Sequence, residues 1–273
     1  LGFPYCFCHQ FTTYPVDRPE GFSRSEAEAW ESGPSTAGQG KDVHVVMVMN
    51  EAFSDLTDSP AFDYGEEDDP LSNLHALEAD PHALSGHLVV PGFAGGTANT
   101  EFDVLTGIQT NMVSPNNVSS FRVLHKPINA LPWDYQAAGY ETYFTHPGYS
   151  WFYNRDNVYQ FLGMEERVFN ETYTDADRKG TMISDQAFYE HLSAALDEKL
   201  GGDKPLFAYG VTIQNHQAYP YSKYGFEPEK PPLSTTISDG AMETLSVYLE
   251  GVRDSTAMLE KLCDYFDSRE EPI

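Results

Sequence analysis

The sequence holds few cysteines and no long apolar run, and each shortage excludes a class of protein. Its 273 residues include three cysteines, Cys6, Cys8 and Cys263, which form neither a zinc signature nor an even disulfide framework. No apolar stretch approaches the ~18–20 residues that cross a bilayer, and the first ten residues lack the basic and long apolar regions of a signal peptide. Because the chain starts with Leu1 and not with Met, we expect an excised piece of a longer protein.

Basic residues are also scarce. Lys and Arg number 16 against 42 Asp and Glu, which gives a formal net charge of −26 at pH 7. A field of that sign repels nucleic acid and anionic lipid surfaces, so the sequence predicts no nucleic-acid partner. The same field repels a phosphate or sulfate ester, so a site for such an ester requires local cations or a metal.

The hydrophobic pattern alternates between strand-like and helix-like segments. A continuous apolar run at 43–49 predicts a strand buried on both faces. Further strands are expected at 87–93, 141–146 and 205–215, and helices at 23–32, 71–80, 100–107, 129–139, 184–200 and 239–268. Strands that alternate with helices of this length predict an α/β fold with a mostly parallel central sheet flanked by helices on both faces.

The two ends of the chain differ from the rest in composition. Residues 1–41 are rich in Pro, Ser, Glu and Gly, which is typical of an irregular arm or linker, and we expect the fold proper over 42–273. The last predicted helix is followed by Pro272 and Ile273, a beginning suited to another buried strand. We therefore expect the fold to continue beyond the last residue.

The stretch GFAGGTANTEFDVLTG (92–107) places small residues between a strand-like run and a helix-like run. Backbone N–H groups at such a helix start are unpaired, and with the helix dipole they stabilise an anion. Thr97 is expected at the mouth of this helix, where its hydroxyl either caps the helix or attacks an anionic substrate. The stretch alone leaves both interpretations open.

Polar residues follow the predicted strands at the edge where open α/β sheets bind ligands, namely Glu51, His146 and His216. Together with Thr97 they suit metal-assisted displacement at phosphorus or sulfur. In such a reaction a hard divalent cation held partly by Glu51 lowers the pKa of the Thr97 hydroxyl. Structural roles stay open for each residue: Glu51 as a helix cap, the histidines as loop residues bonded to backbone, and Arg155 as a surface charge.

Four motifs carry a resemblance to a known family: VVMVMNEAFSDL (45–56), GGTANTEFDVLTG (95–107), FTHPGYSWFYNRD (144–156) and FAYGVTIQNHQAY (207–219). Together they resemble the lipoteichoic acid synthase and phosphoglycerol transferase group, within the sulfatase branch of the alkaline phosphatase superfamily. The resemblance implies the fold of that superfamily. It also implies that 42–273 is the N-terminal major part of a sulfatase-like catalytic domain.

The resemblance assigns metal and catalytic roles to two residues. Glu51 corresponds to a glutamate metal ligand in an N-E-S-F-like motif, with Ala52 in place of the serine. Thr97, and not Thr100, corresponds to the nucleophilic threonine, which is also a metal ligand. The implied cofactor is a divalent cation, with Mn²⁺ expected and Mg²⁺ or Zn²⁺ as alternatives.

Substrate-binding roles follow from the same resemblance. His146 and Arg155, nine residues apart, match a histidine and an arginine that bind the phosphoglycerol headgroup. Tyr153 replaces a tryptophan of that motif, and Gly148 stands where an acidic contact is often found. His216 matches the histidine beside the transferred phosphoryl group.

An Asp-His pair completes the metal site in the family, and no Asp-His dipeptide occurs in these 273 residues. We therefore expect this piece to lack part of the metal shell and to be inactive or nearly so. The parent protein is expected to be extracytoplasmic and membrane-anchored. We expect it to transfer or hydrolyse phosphoglycerol-type headgroups from an anionic phosphoester or lipid, with a glycan hydroxyl or water as acceptor.

Two alternatives stay open. One is a sulfatase or phosphodiesterase that acts on another anionic ester, although Thr97 is followed by Ala98, Asn99 and Thr100 and not by the Pro and Arg of the usual sulfatase nucleophile motif. The other is a non-catalytic extracellular binding domain that retains the fold, which Ala52 and Gly148 favour.

Overall fold

The computed structural model of the chain describes Pro4 and residues 20–31, 43–57, 59–65, 69–90, 96–113 and 119–273. Its strands are β1 (Val45–Met49), β2 (Glu141–Thr145), β3 (Glu166–Val168), β4 (Arg178–Lys179), β5 (Met182–Ile183) and β6 (Leu206–Val211). Its α-helices are α1 (Arg24–Glu31), α2 (Ser72–Glu78), α3 (Thr97–Thr106), α4 (Thr110–Val113), α5 (Ser120–Val123), α6 (Leu131–Ala137), α7 (Arg155–Phe161), α8 (Asp185–Lys199) and α9 (Asp239–Asp267).

The chain divides into two compact units. The first unit takes its residues from Leu1–Gly40, Leu88–Thr142 and Ser150–Glu165, and the second from Lys41–His87, Tyr143–Tyr149 and Glu166–Ile273. The first unit contains α3 and α7, and the second contains β1, β6, α8 and α9.

The main sheet has four strands in the order β1, β6, β2, β3. β1 runs parallel to β6, from Val45 opposite Phe207 to Met49 opposite Val211. β2 runs parallel to β3, and β4 and β5 form a separate antiparallel pair. The predicted α/β fold, with a parallel central sheet and flanking helices, is confirmed.

The core of the second unit lies between β6 and the two long helices. Phe188, Leu192 and Leu196 recur at helical spacing on α8 and are fully buried together with residues of β6 and α9. Gly210 makes close packing possible here, because a Cβ at this position would lie 2.5 Å from the Phe188 ring. Burial of this apolar face, and not helix propensity, therefore accounts for most of the stability of α8.

Both long helices begin at a serine cap. The Ser184 hydroxyl accepts a hydrogen bond of 3.1 Å from the Ala187 N–H at the start of α8. Ser238 accepts one of 3.3 Å from the Ala241 N–H at the start of α9. Each cap satisfies one of the N–H groups that a helix start leaves unpaired.

Two strand predictions need correction. The apolar run at 87–93 forms no strand over 87–90, where Leu88 and Val89 are more than nine-tenths exposed, and 91–93 lie outside the described residues. Apolar residues form a strand only where a neighbour supplies hydrogen bonds and packing, and none does in the part of this segment that is described. β1 is half-buried along its length, not buried on both faces, and it lies at an edge of the described sheet.

The N-terminal arm is described only in part. The short helix predicted there corresponds to α1, and most other residues of 1–41 lie outside the described ranges. The division of the chain at residue 41 therefore stays a prediction. Among the helices that are described, none has both the length and the apolar character required to cross a bilayer.

Candidate functional site

Thr97 is the first residue of α3, and no side chain caps this helix start. The N-cap residue is Gly96, in the left-handed conformation with φ 89° and ψ 47°, which glycine tolerates because it has no Cβ. The interpretation of Thr97 as the N-cap residue is therefore wrong. Its half-buried side chain lies at the positive end of the helix dipole. Ala94 and Gly95 of the predicted turn lie outside the described residues.

One turn further along α3, Glu101 forms a buried ion pair with Arg155, the first residue of α7. Arg155 Nη2 donates to Glu101 Oε1 at 2.6 Å, and Nε donates to Oε2 at 3.3 Å. The Tyr159 hydroxyl donates to Glu101 Oε2 at 2.5 Å. Exposure is 0% for Glu101 and 3% for Arg155, so these bonds form out of contact with water. The three side chains connect the helix of Thr97 to α7.

Tyr153 lies just before this ion pair in the chain, and its ring faces the guanidinium of Arg155 at 5.3 Å from the ring centroid. Tyr153 and Asn154 both have left-handed backbones, with φ of 57° and 58°. Non-glycine residues pay roughly 1–2 kcal/mol each for this conformation. The packing around this turn must therefore stabilise it, and the turn places Arg155 at the start of α7.

His146 follows β2 in the second unit, and a hydrogen bond to the backbone of β6 fixes its ring. Nδ1 donates to the Val211 carbonyl oxygen at 2.9 Å, because a carbonyl can only accept. This bond fixes the tautomer, so that in the neutral ring Nε2 carries the lone pair. The side chain is buried.

Gly148 explains how the His146 ring keeps this position. A Cβ built on residue 148 would collide with His146 Nε2 and with the neighbouring ring carbons. The site where related motifs often carry an acidic residue is therefore filled here by the imidazole itself. An acidic side chain at this position is incompatible with the His146 orientation that the structure has.

Glu51 lies at the end of β1, next to the same end of β6. Its backbone N–H donates to Thr212 Oγ1 at 2.9 Å, and Thr212 directly follows the Val211 carbonyl that binds His146. The next residue, Ala52, has a left-handed φ of 47°. Two of the predicted site residues, Glu51 and His146, thus attach to consecutive residues at the end of one strand.

His216 lies four residues beyond this point and is half-buried. Its Nδ1 donates to the Gln217 carbonyl oxygen at 2.5 Å, and Nε2 takes no part in this bond. Its own carbonyl oxygen accepts a bond of 2.8 Å from Lys223 Nζ. Lys223, which sequence reasoning did not single out, thus holds the backbone of a predicted substrate-binding residue.

Lys223 is a buried cation that stacks on aromatic faces. Its ammonium lies 4.9 Å from the ring centroid of Tyr219 and 5.4 Å from that of Tyr224. Burial lowers the pKa of Lys223 to about 8, while the nearby carboxylates of Asp185 and Glu51 raise it. Positive charge is therefore present within electrostatic reach of Glu51.

The donor groups predicted for a metal fit a hard divalent cation in kind. A carboxylate (Glu51) and a hydroxyl (Thr97) are the oxygen ligands that Mg²⁺ and Mn²⁺ prefer. In number they fall short, because the described residues contain no group of three or more His, Cys, Asp or Glu side chains placed to hold a metal.

Sequence reasoning singled out candidate residues by type and position and missed the partners that the structure gives them. The position of Glu101 could be predicted in part, because a carboxylate four residues after Thr97 lies on the same face of a helix. Tyr159, Thr212 and Lys223 gave no comparable signal. Their partners lie 58, 161 and 7 residues away in the chain, and only the fold brings them together.

Curated proteins resemble this chain over most of its length. The chain is 26% identical over 272 residues to a Rhizobium meliloti protein named for cyclic beta-1,2-glucan modification, covering 98% of this chain and 40% of that protein. It is 26% identical over 238 residues to lipoteichoic acid synthase of Staphylococcus saprophyticus, an alignment that covers 85% of this chain and 35% of that protein. The chain thus spans well under half the length of these relatives.

Solved structures share the fold. The lipoteichoic acid synthase LtaP of Listeria monocytogenes superposes with a TM-score of 0.68 at 18% identity, covering 83% of this chain and 52% of that one. The Streptococcus pyogenes phosphoglycerol transferase GacH, solved with sn-glycerol-1-phosphate, superposes with a TM-score of 0.64 at 17% identity. This superposition covers 94% of this chain and 68% of that one. A zinc complex of the C-terminal periplasmic domain of Escherichia coli EcEptC superposes with a TM-score of 0.55 at 14% identity, covering 84% of this chain and 60% of that one.

A family comparison agrees with the four motifs of the sequence. The sulfatase family model matches residues 43–272, which is most of the chain. The resemblance predicted from the motifs is confirmed, and the chain belongs to the sulfatase family.

Proposed function

We propose that the protein transfers or hydrolyses a phosphoglycerol-type headgroup, with Thr97 as the nucleophile. Membership of the sulfatase family and the likeness to lipoteichoic acid synthases and to GacH support this class of reaction. The proposed substrate is an anionic phosphodiester such as a glycerophospholipid headgroup. The proposed acceptor is a glycan hydroxyl or water, and the name of the Rhizobium relative supports a glycan.

The position of Thr97 is the observation that carries the proposal. Its hydroxyl stands at the first residue of α3 and is not used as the N-cap, since Gly96 has that position. A phosphoryl group bound here would meet the positive end of the helix dipole and backbone N–H groups. A nucleophile and an anion-stabilising environment therefore coincide at one helix start.

In the proposed reaction Thr97 Oγ attacks phosphorus, and the bond from phosphorus to the oxygen of the leaving diacylglycerol breaks, so that phosphoglycerol stays on Thr97. The hydroxyl proton of Thr97 leaves with that alcohol, and a phosphodiester on Thr97 results. The acceptor hydroxyl then attacks the same phosphorus, the bond to Thr97 Oγ breaks, and the acceptor proton returns to Thr97. Both steps conserve charge and need no oxidant or reductant.

A divalent cation, Mn²⁺ in the proposal with Mg²⁺ or Zn²⁺ as alternatives, would be held by Glu51 and Thr97 and would make the threonine hydroxyl more acidic. Hydrogen bonding of the Glu51 backbone to Thr212 fixes the point from which that carboxylate extends. His146 is proposed to orient the glycerol headgroup through Nε2, because Nδ1 is committed to Val211.

His216, Tyr153 and Arg155 complete the proposed binding set. His216 Nε2 is proposed to contact an oxygen of the transferred phosphoryl group. Arg155 shares its charge with Glu101, so its proposed contribution combines contact with the substrate and placement of the Thr97 helix. For the protein as a whole we propose an extracytoplasmic, membrane-anchored form, in line with the periplasmic domain among the structural neighbours.

Trapping the covalent intermediate tests the proposal. The purified full-length parent protein, which carries the part of the metal shell that this piece is expected to lack, is incubated with Mn²⁺ and short-chain phosphatidylglycerol, quenched in acid and analysed by intact mass and peptide mapping. We expect a phosphoglycerol adduct on Thr97, its loss in Thr97→Val, and its retention in Thr100→Val, a matched change on the same helix. Label on any other residue, or label that survives in Thr97→Val, contradicts the nucleophile.

Calorimetric titration with Mn²⁺ and sn-glycerol-1-phosphate separates a wrong nucleophile from a wrong function. Binding of both probes without an adduct on Thr97 rejects the threonine mechanism alone. Failure to bind either probe rejects the proposed function and favours the non-catalytic alternative.

A further inference from the structure

Three aromatic residues in succession form a row of contacting rings in the first unit. The ring centroids of Trp151 and Phe152 are 5.8 Å apart at an interplanar angle of 90°. Those of Phe152 and Tyr153 are 4.6 Å apart at 61°. Tyr153 then faces the Arg155 guanidinium at 5.3 Å. The rings therefore form one continuous chain of contacts.

The outer end of this row is open to solvent. The exposed fraction is 70% for Trp151 and 47% for Phe152, and the two contacting rings form a contiguous apolar patch, the kind of surface feature that marks interaction sites. The inner end is buried, since Arg155 is paired with Glu101 on the helix that begins at Thr97. The row thus leads from the surface towards the element that carries the proposed nucleophile.

The turn at the inner end of the row has an unusual backbone. Tyr153 and Asn154 both have left-handed conformations. Asparagine tolerates this region, whereas for tyrosine it is uncommon and persists where the surrounding structure enforces it. The short 3₁₀ helix Phe152–Asn154 contains this strained turn and leads directly into α7. The exposed rings are therefore presented on a defined support and not on a free loop.

The chemistry of this surface suits a neutral sugar. Exposed aromatic faces pack against the C–H faces of pyranose rings, and they do so without any charged group. A net charge of −26 disfavours an anionic polymer or an anionic membrane as the partner. The one cation of the row, Arg155, is already paired with Glu101.

We propose that Trp151 and Phe152 form the acceptor subsite and that the acceptor is a neutral glucan. This inference rests on the proposed function, because it supplies the hydroxyl that receives the phosphoglycerol group. The glucan ring stacks on Trp151 and Phe152, and one of its hydroxyl groups extends along the aromatic row.

The test measures glucan binding and donor binding on the same variants. Calorimetry with neutral cyclic beta-1,2-glucan is carried out on the protein as isolated and on Trp151→Ala, Trp151→Phe, Phe152→Ala and Phe226→Ala. Phe226 is the matched control, because it is also a phenylalanine that is 47% exposed but lies in the other unit. Binding of sn-glycerol-1-phosphate is measured in parallel.

We expect Trp151→Ala to weaken glucan binding about tenfold, which corresponds to about 1.4 kcal/mol, because it removes the more exposed of the two rings. Trp151→Phe should restore part of the affinity, and Phe226→Ala should leave it unchanged. In transfer assays the KM for glucan should rise in Trp151→Ala, while kcat and the affinity for sn-glycerol-1-phosphate stay constant.

Other outcomes overturn one conclusion or the other. Equal glucan affinity in the parent protein and Trp151→Ala, or no glucan binding at all, rejects the subsite even where the donor binds. Glucan binding that depends on Trp151 without donor binding rejects the proposed function and leaves a sugar-binding surface. Sedimentation with phosphatidylcholine and phosphatidylglycerol vesicles that Trp151→Ala abolishes would identify a membrane contact instead.

Discussion

At the scale of single residues, the orientation of His146 depends on the lack of a side chain at Gly148. The imidazole occupies the space that a Cβ of residue 148 would need, and the Val211 carbonyl holds Nδ1. Glycine is thus required at position 148 for a steric reason, although its backbone has an ordinary conformation. The lack of a side chain at residue 148 and the position of the His146 ring are therefore one feature of this protein.

Gly148→Ala tests this dependence. The added methyl group must displace the His146 ring and break its bond to Val211, a loss of about 1 kcal/mol. We expect sn-glycerol-1-phosphate to bind roughly five- to tenfold more weakly by calorimetry. Gly240→Ala is the control, because nothing lies within 4 Å of a Cβ there. Unchanged affinity in Gly148→Ala would show that His146 does not contact the headgroup.

Sequence reasoning reached these residues by type but not by contact. The nine-residue spacing of His146 and Arg155 was visible in the sequence. The bond from His146 to Val211 was not, because it joins residues 65 positions apart. The roles assigned to the individual site residues stay predictions, and the structure adds the partners through which each role can be tested.

At the scale of secondary-structure elements, α3 and α7 are joined by a buried polar contact. Glu101 on α3 accepts three hydrogen bonds from Arg155 and Tyr159 on α7. A buried pair of this kind tolerates no loss of one partner, since the remaining charge has no access to water. The position of the Thr97 helix therefore depends on α7.

Substitutions at this contact should destabilise the protein to different degrees. We expect Glu101→Gln to lower the free energy of unfolding by about 3–5 kcal/mol, because it leaves the Arg155 cation buried without a carboxylate. Tyr159→Phe should lower it by about 1.5–3 kcal/mol through loss of one hydrogen bond to a charged group. Urea unfolding followed by circular dichroism measures both.

A control for these variants is Asp175→Asn, which removes an exposed ion pair with Arg178. Exposed pairs contribute little, so its unfolding midpoint should match that of the parent protein. Equal effects of Glu101→Gln and Asp175→Asn would contradict the buried contact.

Elements with strong periodicity were predicted correctly, and the exceptions have a physical cause. The periodic helices α6, α8 and α9 and the strands β2 and β6 occur where the pattern placed them. The run at 87–90 has the composition of a strand, but hydrophobic pattern does not report whether a neighbouring strand is present. The same limit applies to β1, whose apolar run cannot reveal that it lies at an edge of the described sheet.

At the scale of the whole molecule, stability should depend on pH through Asp185. Burial raises the pKa of this carboxyl to about 7, although the Ser255 hydroxyl donates to it at 2.6 Å. The folded state therefore holds a proton that the unfolded state loses at lower pH. The free energy of unfolding should fall as the pH rises between 3.8 and about 7.

Asp185→Asn should flatten this dependence, because it removes the titrating group. Urea unfolding at pH 5 and pH 8 gives the difference in stability for each variant. Asp239→Asn serves as a matched control, since Asp239 is exposed and also directly follows the serine cap of a long helix. A pH dependence that is the same in Asp185→Asn and in the parent protein would refute the assignment.

The strand order of the sheet also has a consequence for the synthesis of the chain. β6 lies between β1 and β2, yet it leaves the ribosome after both of them. At about 5–20 residues per second, several seconds pass between the emergence of β2 and that of β6. During this interval two strand edges await a partner, and the carbonyl that orients His146 does not yet exist. The orientation of His146 is therefore among the last features that a nascent chain can establish, and until then the edges of β1 and β2 are open to mispairing with other nascent chains.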